Sequence, residues 1–295
     1  MNRIVVAILE DCSEDQYLIK QKLSEVETQT FNVQCFSSIE SLANSINLLE
    51  PDVLITDLNL PESQGLDTLI KIKAFAKKTP IIVLTGSDED IAIKAIQLGA
   101  QDFLKKEELS STLITRTILF ARERFLFQSA LEEQAIRDKL TQLYNREAFE
   151  AQVEKKYEEY IRYQSKFALV LIDLDNFKPI NDEFGHLVGD RILQLLADRL
   201  RMFNRVSDTV ARIGGDEFVI LAPHINNHQD LALFIEAKKQ KLCGVYALAS
   251  STEKLLELNI TMSFGGAVMG IDGEDTQTIF EKADAAMYVA KRENK

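Results

Sequence analysis

The run Arg212-Ile213-Gly214-Gly215-Asp216-Glu217-Phe218 joins a glycine pair to two carboxylates. Residues 209–213 and 218–222 on either side are strand-like. A Gly-Gly between two such runs reads as a hairpin turn, because glycine tolerates positive φ without steric cost. Asp216 and Glu217 then share one exposed tip. Upstream, Val170-Leu171-Ile172 runs into Asp173-Leu174-Asp175, and strand residues two apart share a face, which turns Asp173 and Asp175 the same way. Carboxylates from two neighbouring strand ends suit Mg²⁺, which takes a few acidic oxygens and completes its shell with water and phosphate. On spacing alone the choice lies between a metal site and two acidic surface turns.

The elements that must carry a second acidic set lie earlier in the chain. Apolar runs at 3–9, 31–36, 52–57, 80–85 and 101–104 alternate with helix-like segments, the pattern of a parallel sheet in β/α order. Chemistry in open parallel sheets collects at the carboxyl ends of strands. Glu10 and Asp11 follow the first strand, Asp57 ends the third, Thr85 closes the fourth, and Lys105-Lys106 follows the fifth. Clustered acids bind Mg²⁺, which neutralises an incoming phosphoryl group while one carboxylate attacks it. A hydroxyl and an ammonium then hold the phosphate oxygens. For any one of these acids, capping of the next helix is the competing reading.

At 295 residues the chain has room for two domains, and 46% apolar residues fit a folded protein. The formal charge of -12 disfavours nucleic-acid backbones and repels free nucleotides, so a nucleotide site needs metal and local lysines. Cys12, Cys35 and Cys243 make no even framework and no metal-ligand cluster, which fits a reducing compartment. The first apolar run ends at Glu10 and is too short for a membrane span. These features predict a cytoplasmic protein with no membrane or nucleic-acid partner.

Between Gly99 and Gly185 there is no glycine, and between Pro80 and Pro179 no proline. Residues 109–137 read as a helix with two apolar seams, one through Leu113, Phe120, Phe127 and Leu131, the other through Ile114, Ile118, Ala121 and Phe125. Two faces predict a helix that packs first on its own domain and then on a partner, giving a homodimer; packing within one subunit is the alternative.

The first 122 residues resemble a response-regulator receiver domain. The resemblance makes Asp57 the phosphoacceptor, loaded by a cognate histidine kinase or phosphotransfer protein. Glu10, Asp11, Asp57 and the Asn59 carbonyl become Mg²⁺ ligands, Thr85 the switching hydroxyl, and Phe103 the aromatic that turns with it. Lys106, three residues beyond Phe103, aligns with the family lysine, with Lys105 as the competing assignment. Pro61 and Gly65 fit the loop after Asp57, whereas Glu107 stands where the family has proline.

The last 158 residues or so resemble the GGDEF family, the diguanylate cyclases. The phrases that carry this are 138–146 (Asp-Lys-Leu-Thr-Gln-Leu-Tyr-Asn-Arg), 173–182 with Phe184-Gly185-His186 and Gly189-Asp190, 212–218, Thr261-Met262-Ser263 with Gly265, and 283–291. The implied fold is α/β: a doubly wound parallel five-stranded receiver (1–122), a helical linker (123–137), and an α+β cyclase-palm domain (138–295). The implied reaction joins two GTP molecules into cyclic di-GMP across a two-fold dimer, with Mg²⁺ or alternatively Mn²⁺ in both domains. Asp173, Asp216 and Glu217 become catalytic and metal-binding, and Leu174 lends its carbonyl. Asn181 and Asp190 read guanine, Lys178, Lys291 and Lys295 meet phosphate, and Phe177, Gly214 and Gly215 allow close approach. Arg205 and Asp208 match the family's inhibitory site for cyclic di-GMP. Arg212 is open between an ion pair and a phosphate contact. Departures are Gln142 at a glycine position, Asn294-Lys295 where glycine then arginine are usual, and a poor fit over 226–259. The alternatives are an inactive GGDEF module that binds GTP or cyclic di-GMP and signals through protein contacts, and a phosphorelay component whose second domain serves assembly.

Overall fold

The computed structural model describes residues 3–86, 89–249 and 255–294. The chain divides into two compact units, Met1–Leu131 and Glu132–Lys295.

In the first unit, β1 (Ile4–Leu9), β2 (Phe31–Phe36), β3 (Val53–Asp57), β4 (Ile81–Thr85) and β5 (Asp102–Lys105) form one parallel sheet in the order β2-β1-β3-β4-β5. Helices α1 (Ser13–Ser24), α2 (Ile39–Leu49), α3 (Leu66–Phe75), α4 (Glu89–Gln97) and α5 (Ser111–Ile136) alternate with the strands. The strands read as near-continuous apolar runs because both sheet faces are covered. Ala7, Leu9, Leu54 and Val83 enter one core with Leu42 and Leu69, while Val6, Ile8, Ile55 and Leu84 enter the other with Ile19, Ile114 and Ile118. The strand order reverses between β1 and β3, which brings Glu10 and Asp57 to the crevice where such sheets bind ligands.

Helix α5 separates the two seams expected of it. Ile114, Ile118 and Ala121 are fully buried, whereas Phe120, Phe127 and Leu131 are 59%, 68% and 50% exposed. Arg122 Nε pairs with Asp52 at 3.1 Å, and the other Asp52 oxygen accepts from Val5 N, tying the helix to the strand edge. No helix of the described residues is long and apolar enough to cross a membrane.

The second unit is built on an antiparallel sheet, β11-β6-β8-β7, with a separate two-stranded ribbon of β9 and β10. In chain order its elements are α6 (Arg146–Tyr163), β6 (Phe167–Leu174), α7 (Phe177–Phe184), α8 (His186–Phe203), β7 (Thr209–Arg212), β8 (Glu217–Pro223), α9 (His228–Leu242), β9 (Gly244–Ala249), β10 (Leu255–Ile260), β11 (Met262–Val268) and α10 (Thr276–Glu293). Alternation along β6 again makes two cores. Val170 and Ile172 meet Leu193 and Leu196 of α8, and Leu169 and Leu171 meet Phe149 of α6 and Ala283 of α10. The segment expected to fit poorly forms α9 and the ribbon, whose Leu231, Phe234, Tyr246 and Leu248 join the first of these cores.

Helix α10 lies directly on β11 because Gly265 has no side chain. A Cβ there would stand 2.0 Å from the Met287 nitrogen and 2.3 Å from the Ala283 carbonyl oxygen, both backbone atoms that cannot step aside. Gly265→Ala is therefore expected to destabilise the chain by about 3 kcal/mol, the upper part of the overpacking range. Calorimetric unfolding checks this, and an unchanged melting temperature would show that α10 rides free of β11.

Candidate active sites

The register of β6 and β8 sets Asp173 directly opposite Glu217, with Asp216 preceding it in the turn. Asp173 is buried, while Asp216 and Glu217 are half-buried, so the acids sit deeper than the exposed tip predicted from the sequence. Glu217 opens β8 instead of lying in the turn. Leu174 is buried beside them, its N–H 3.4 Å from the Asp216 carbonyl. Lys291 Nζ reaches Asp173 Oδ1 at 2.6 Å. Burial pushes the Asp173 carboxyl above its ordinary value, and the charges of Asp216 and Glu217 add to that push. The Lys291 ammonium offsets only part of it. Burial alone would lower Lys291, but its bond to Asp173 and the charges of Asp216 and Asp175 hold it above its ordinary value.

Asp173 and Asp175 diverge in their partners. Asp175 accepts from Ser263 Oγ at 2.6 Å and from Asn294 Nδ2 at 3.2 Å. The sequence reading turned Asp175 the same way as Asp173 in an acidic pair suited to Mg²⁺, and gave Ser263 and Asn294 no role of their own. The signal that marked them was only a two-residue spacing from Asp173 and a departure at the tail.

The Gly-Gly turn is held by arginines. Arg212 donates twice to the Gly215 carbonyl, at 3.1 and 2.7 Å, and pairs with Asp138 at 3.0 Å. Arg146 donates twice to the Ile213 carbonyl, at 3.1 and 2.9 Å. The open choice for Arg212 thus falls, in this structure, on the ion pair. The expected hairpin joins β7 to β8, but neither Gly214 nor Gly215 takes the positive φ by which the sequence explained it. A Cβ at 214 would lie 2.5 Å from Glu217 Oε2, the movable end of a side chain, so the glycine leaves room for that carboxylate. Gln142, at the glycine position, has φ of 58°, a left-handed backbone costing about 1 kcal/mol for a residue with a side chain. Its amide donates to the Lys139 carbonyl at 3.1 Å.

Phe177 opens α7 half-buried, Lys178 is exposed, and Asn181 is half-buried. A Cβ on Gly189 would fall 1.9 Å from Asn181 Oδ1, so that glycine makes room for the amide at the α7–α8 junction. Asp190 follows it, exposed, on α8. Lys295 lies outside the described residues. Arg205 and Asp208 do not pair through their side chains. The Asp208 carboxylate accepts from the Arg205 N–H at 3.0 Å and stands 3.9 Å from the buried Lys238 ammonium. Beside them is a cleft of 490 Å³ lined by Arg205, His224, Phe234, Lys238 and Lys241.

At the strand ends of the first unit, one ammonium meets three carboxylates: Lys106 Nζ is 2.8 Å from Glu10, 2.7 Å from Asp15 and 2.6 Å from Asp57. Lys105 lies instead 3.9 Å from Glu108, so the geometry favours Lys106. Asp15 was not anticipated. Burial raises Glu10, opposed by Lys106 and the Cys12 N–H, and the same three acids raise Lys106 against its own burial. Asn59 N–H donates to Asp57 at 2.8 Å, and Asp11 is exposed nearby in sequence. The Thr85 hydroxyl is buried with no hydrogen-bond partner among the described residues, and Phe103 is half-buried against the core. Glu107 is exposed in the short 3-10 turn Lys106–Glu108.

Both centres offer hard oxygen ligands with excess negative charge, the donor set that Mg²⁺ takes. Among the described residues, no three acid, histidine or cysteine side chains converge on one point at metal-ligand distance. A lysine ammonium stands at each.

A family model described as the diguanylate cyclase GGDEF domain matches residues 135–295, and one described as the response regulator receiver domain matches residues 6–118. The chain is 36% identical over 183 residues to the bifunctional diguanylate cyclase/cyclic di-GMP phosphodiesterase MucR of Pseudomonas aeruginosa, covering 62% of this chain and 26% of MucR. It is 28% identical over 225 residues to the response regulator PleD of Caulobacter vibrioides, covering 73% of this chain and 48% of PleD. The chain thus spans about a quarter of one curated relative and about half of the other. Among solved structures, the coiled coil and GGDEF domain of DgcB from Caulobacter crescentus, in complex with c-di-GMP, matches with a TM-score of 0.54 and 28% identity. That match covers 63% of this chain and 95% of DgcB's.

The grip on the turn carries a pH signature. Burial alone would raise Asp138, but hydrogen bonds from Thr141 and Arg212 outweigh it and hold the carboxyl below its ordinary value. Its stabilisation is present above the unfolded-chain value and is lost as pH falls through the folded one. Asp138→Asn is expected to cost about 2 kcal/mol at neutral pH, the range for hydrogen bonds to a charged group. The gap to wild type should narrow in acid. Denaturant unfolding at neutral and acid pH tests this, and an equal gap at both would assign the loss to something other than the ion pair.

Proposed function

We propose that this chain, which belongs to the diguanylate cyclase GGDEF-domain family and carries a response-regulator receiver domain ahead of it, condenses two GTP molecules into cyclic di-GMP and two pyrophosphates. The observation that carries this reading is the β6–β8 register that opposes Asp173 and Glu217 beside Asp216, with Lys291 at hand. Asp173, Asp216 and Glu217, with the Leu174 carbonyl, would hold Mg²⁺ or Mn²⁺, which supplies charge neutralisation at the phosphates. Lys291, Lys178 and Lys295 take the outer phosphate oxygens, so Lys291 must leave Asp173 as nucleotide enters. Asn181 and Asp190 read the guanine edge, the amide meeting N3 and the amino group, the carboxylate accepting from N1–H and the amino group. Phe177, Gly214 and Gly215 leave the backbone open to close approach.

In each half-reaction a 3′-oxygen bonds to the α-phosphorus of the opposite nucleotide, the bond to the bridging oxygen breaks, and pyrophosphate leaves. Glu217 is placed to assist loss of the 3′-hydroxyl proton. One domain binds one GTP, so a two-fold homodimer must bring two half-sites together, and positioning supplies much of the rate. The exposed seam of Phe120, Phe127 and Leu131 supports a second copy as partner.

The receiver supplies control in this reading. Asp57 takes a phosphoryl group from a cognate histidine kinase or phosphotransfer protein, with Glu10, Asp11 and the Asn59 carbonyl holding Mg²⁺. The unpartnered Thr85 hydroxyl and the Lys106 ammonium are the donors such a group needs, and Phe103 turns with Thr85. Cyclic di-GMP binding at Arg205 and Asp208 provides product inhibition, with the adjoining cleft, in which Lys238 and Lys241 join apolar side chains and Asp230, as room for the ligand. GTP and the kinase put this activity in the cytoplasm.

The test is GTP turnover with Mg²⁺, with and without beryllofluoride, with products resolved by chromatography. Wild type should give a metal-dependent cyclic di-GMP peak that Asp216→Ala abolishes and whose size beryllofluoride changes. Arg205→Ala should leave the initial rate and remove the later slowing. No product from folded, nucleotide-free protein in either state would leave a GGDEF module that binds GTP or cyclic di-GMP without turning it over.

A further inference from the structure

We infer that Asp175, Ser263 and Asn294 form a clamp of neutral donors around a buried carboxylate, and that Asn294 is a positioning residue for Lys291; this rests on the nucleotide-binding part of the reading above. Asp175 is 8% exposed and Ser263 fully buried. Ser263 Oγ donates to one Asp175 oxygen at 2.6 Å, and Asn294 Nδ2 reaches the other at 3.2 Å and Ser263 Oγ at 3.2 Å. The Asp175 N–H is spent on the Thr261 carbonyl at 3.0 Å. Among the described residues no lysine or arginine pairs with Asp175.

The geometry makes two rungs. Lys291 and Asn294 are three apart at the end of α10 and share a face. Asp173 lies in the last residues of β6 and Asp175 in the turn just past its end. Lys291 binds the first carboxylate and Asn294 the second. The Lys291 rung must open when a phosphate takes the ammonium; the Asn294 rung has no reason to. The amide therefore keeps the last turn of α10 against the strand ends while the lysine changes partners. A neutral donor suits this task. It satisfies a buried carboxylate, which would otherwise carry an uncompensated desolvation cost, without cancelling its charge.

Asn294 lies at the exposed end of α10, so its truncation does not breach the core. The experiment measures affinity for a non-hydrolysable GTP analogue and, separately, kcat and KM, in full-length protein. Asn294→Ala is expected to weaken the analogue and raise KM by about tenfold, the loss of one hydrogen bond to a charged group, with kcat nearly unchanged. In a Lys291→Ala background the same substitution should change affinity less than twofold, because the clamp acts through the lysine. Exchanging the partners, Asp175→Asn with Asn294→Asp, rebuilds the contact and should recover most of the affinity that Asn294→Asp alone destroys. Unchanged affinity in Asn294→Ala, or full additivity with Lys291→Ala, overturns the clamp. Wild type that binds the analogue without making cyclic di-GMP overturns the cyclase reading alone, and the binding series still decides the clamp. Wild type that binds no analogue overturns both.

Discussion

Asp173, Asp216 and Glu217 bring like charge to the ends of two hydrogen-bonded strands, and much of the second unit is arranged around holding that charge together. Repulsion and burial both favour the neutral form of Asp173, which is why its carboxyl is raised despite the lysine on it. The compensation is structural. The β6–β8 ladder fixes the two strand ends, and Gly214 leaves space for the Glu217 carboxylate. The arginines around the turn spend their donors on the carbonyls of Ile213 and Gly215 and on Asp138. None of those bonds goes to Asp216 or Glu217. The arginines thus brace the turn without pairing with Asp216 or Glu217.

The first unit meets the same constraint differently. Three carboxylates share one ammonium, and each of the three protons of Lys106 has a carboxylate to meet. The sheet order makes this convergence unavoidable, since β1 and β3 are neighbours and their carboxyl ends face one crevice. At the neighbouring end of β4, the buried Thr85 hydroxyl has no partner among the described residues. A phosphoryl group on Asp57 would bring acceptors for that hydroxyl and for the ammonium together. A buried hydroxyl without a partner is a net cost in the unmodified chain.

What could be read from the sequence follows the range of each interaction. The parallel sheet was legible because burial on both faces writes itself into local runs, and the two seams of α5 because helical spacing is local too. Asp57 and the Gly-Gly-Asp-Glu acids stood at strand ends that the same runs define. Lys106 was preferred to Lys105 only by its spacing from Phe103, and the structure separates the two because Lys105 ends β5 whereas Lys106 opens the 3-10 turn that follows. The glycine pair was read through backbone freedom, whereas what distinguishes 214 in the structure is the room it leaves for a side chain three residues on. Arg212 stayed undecided because its partner, Asp138, is 74 residues away. The bond between Asn294 and Asp175 crosses 119 residues and leaves no local trace.

Across both units the two kinds of basic residue divide the work by their chemistry. Arg212, Arg146 and Arg201 brace the scaffold, with Arg201 on the Thr141 carbonyl of the same loop that carries Asp138. A planar guanidinium gives paired, directional bonds that lock a loop in place. Lys106 and Lys291 sit on the acids themselves. An ammonium is a compact charge on a flexible stem with three rotatable donors, so it can neutralise a carboxylate at rest and transfer to a phosphate oxygen when one arrives. An arginine fork at either position would bind the carboxylate in a fixed geometry and resist that exchange. Each acidic centre thus carries its counter-charge on a flexible stem, Lys106 at one and Lys291 at the other.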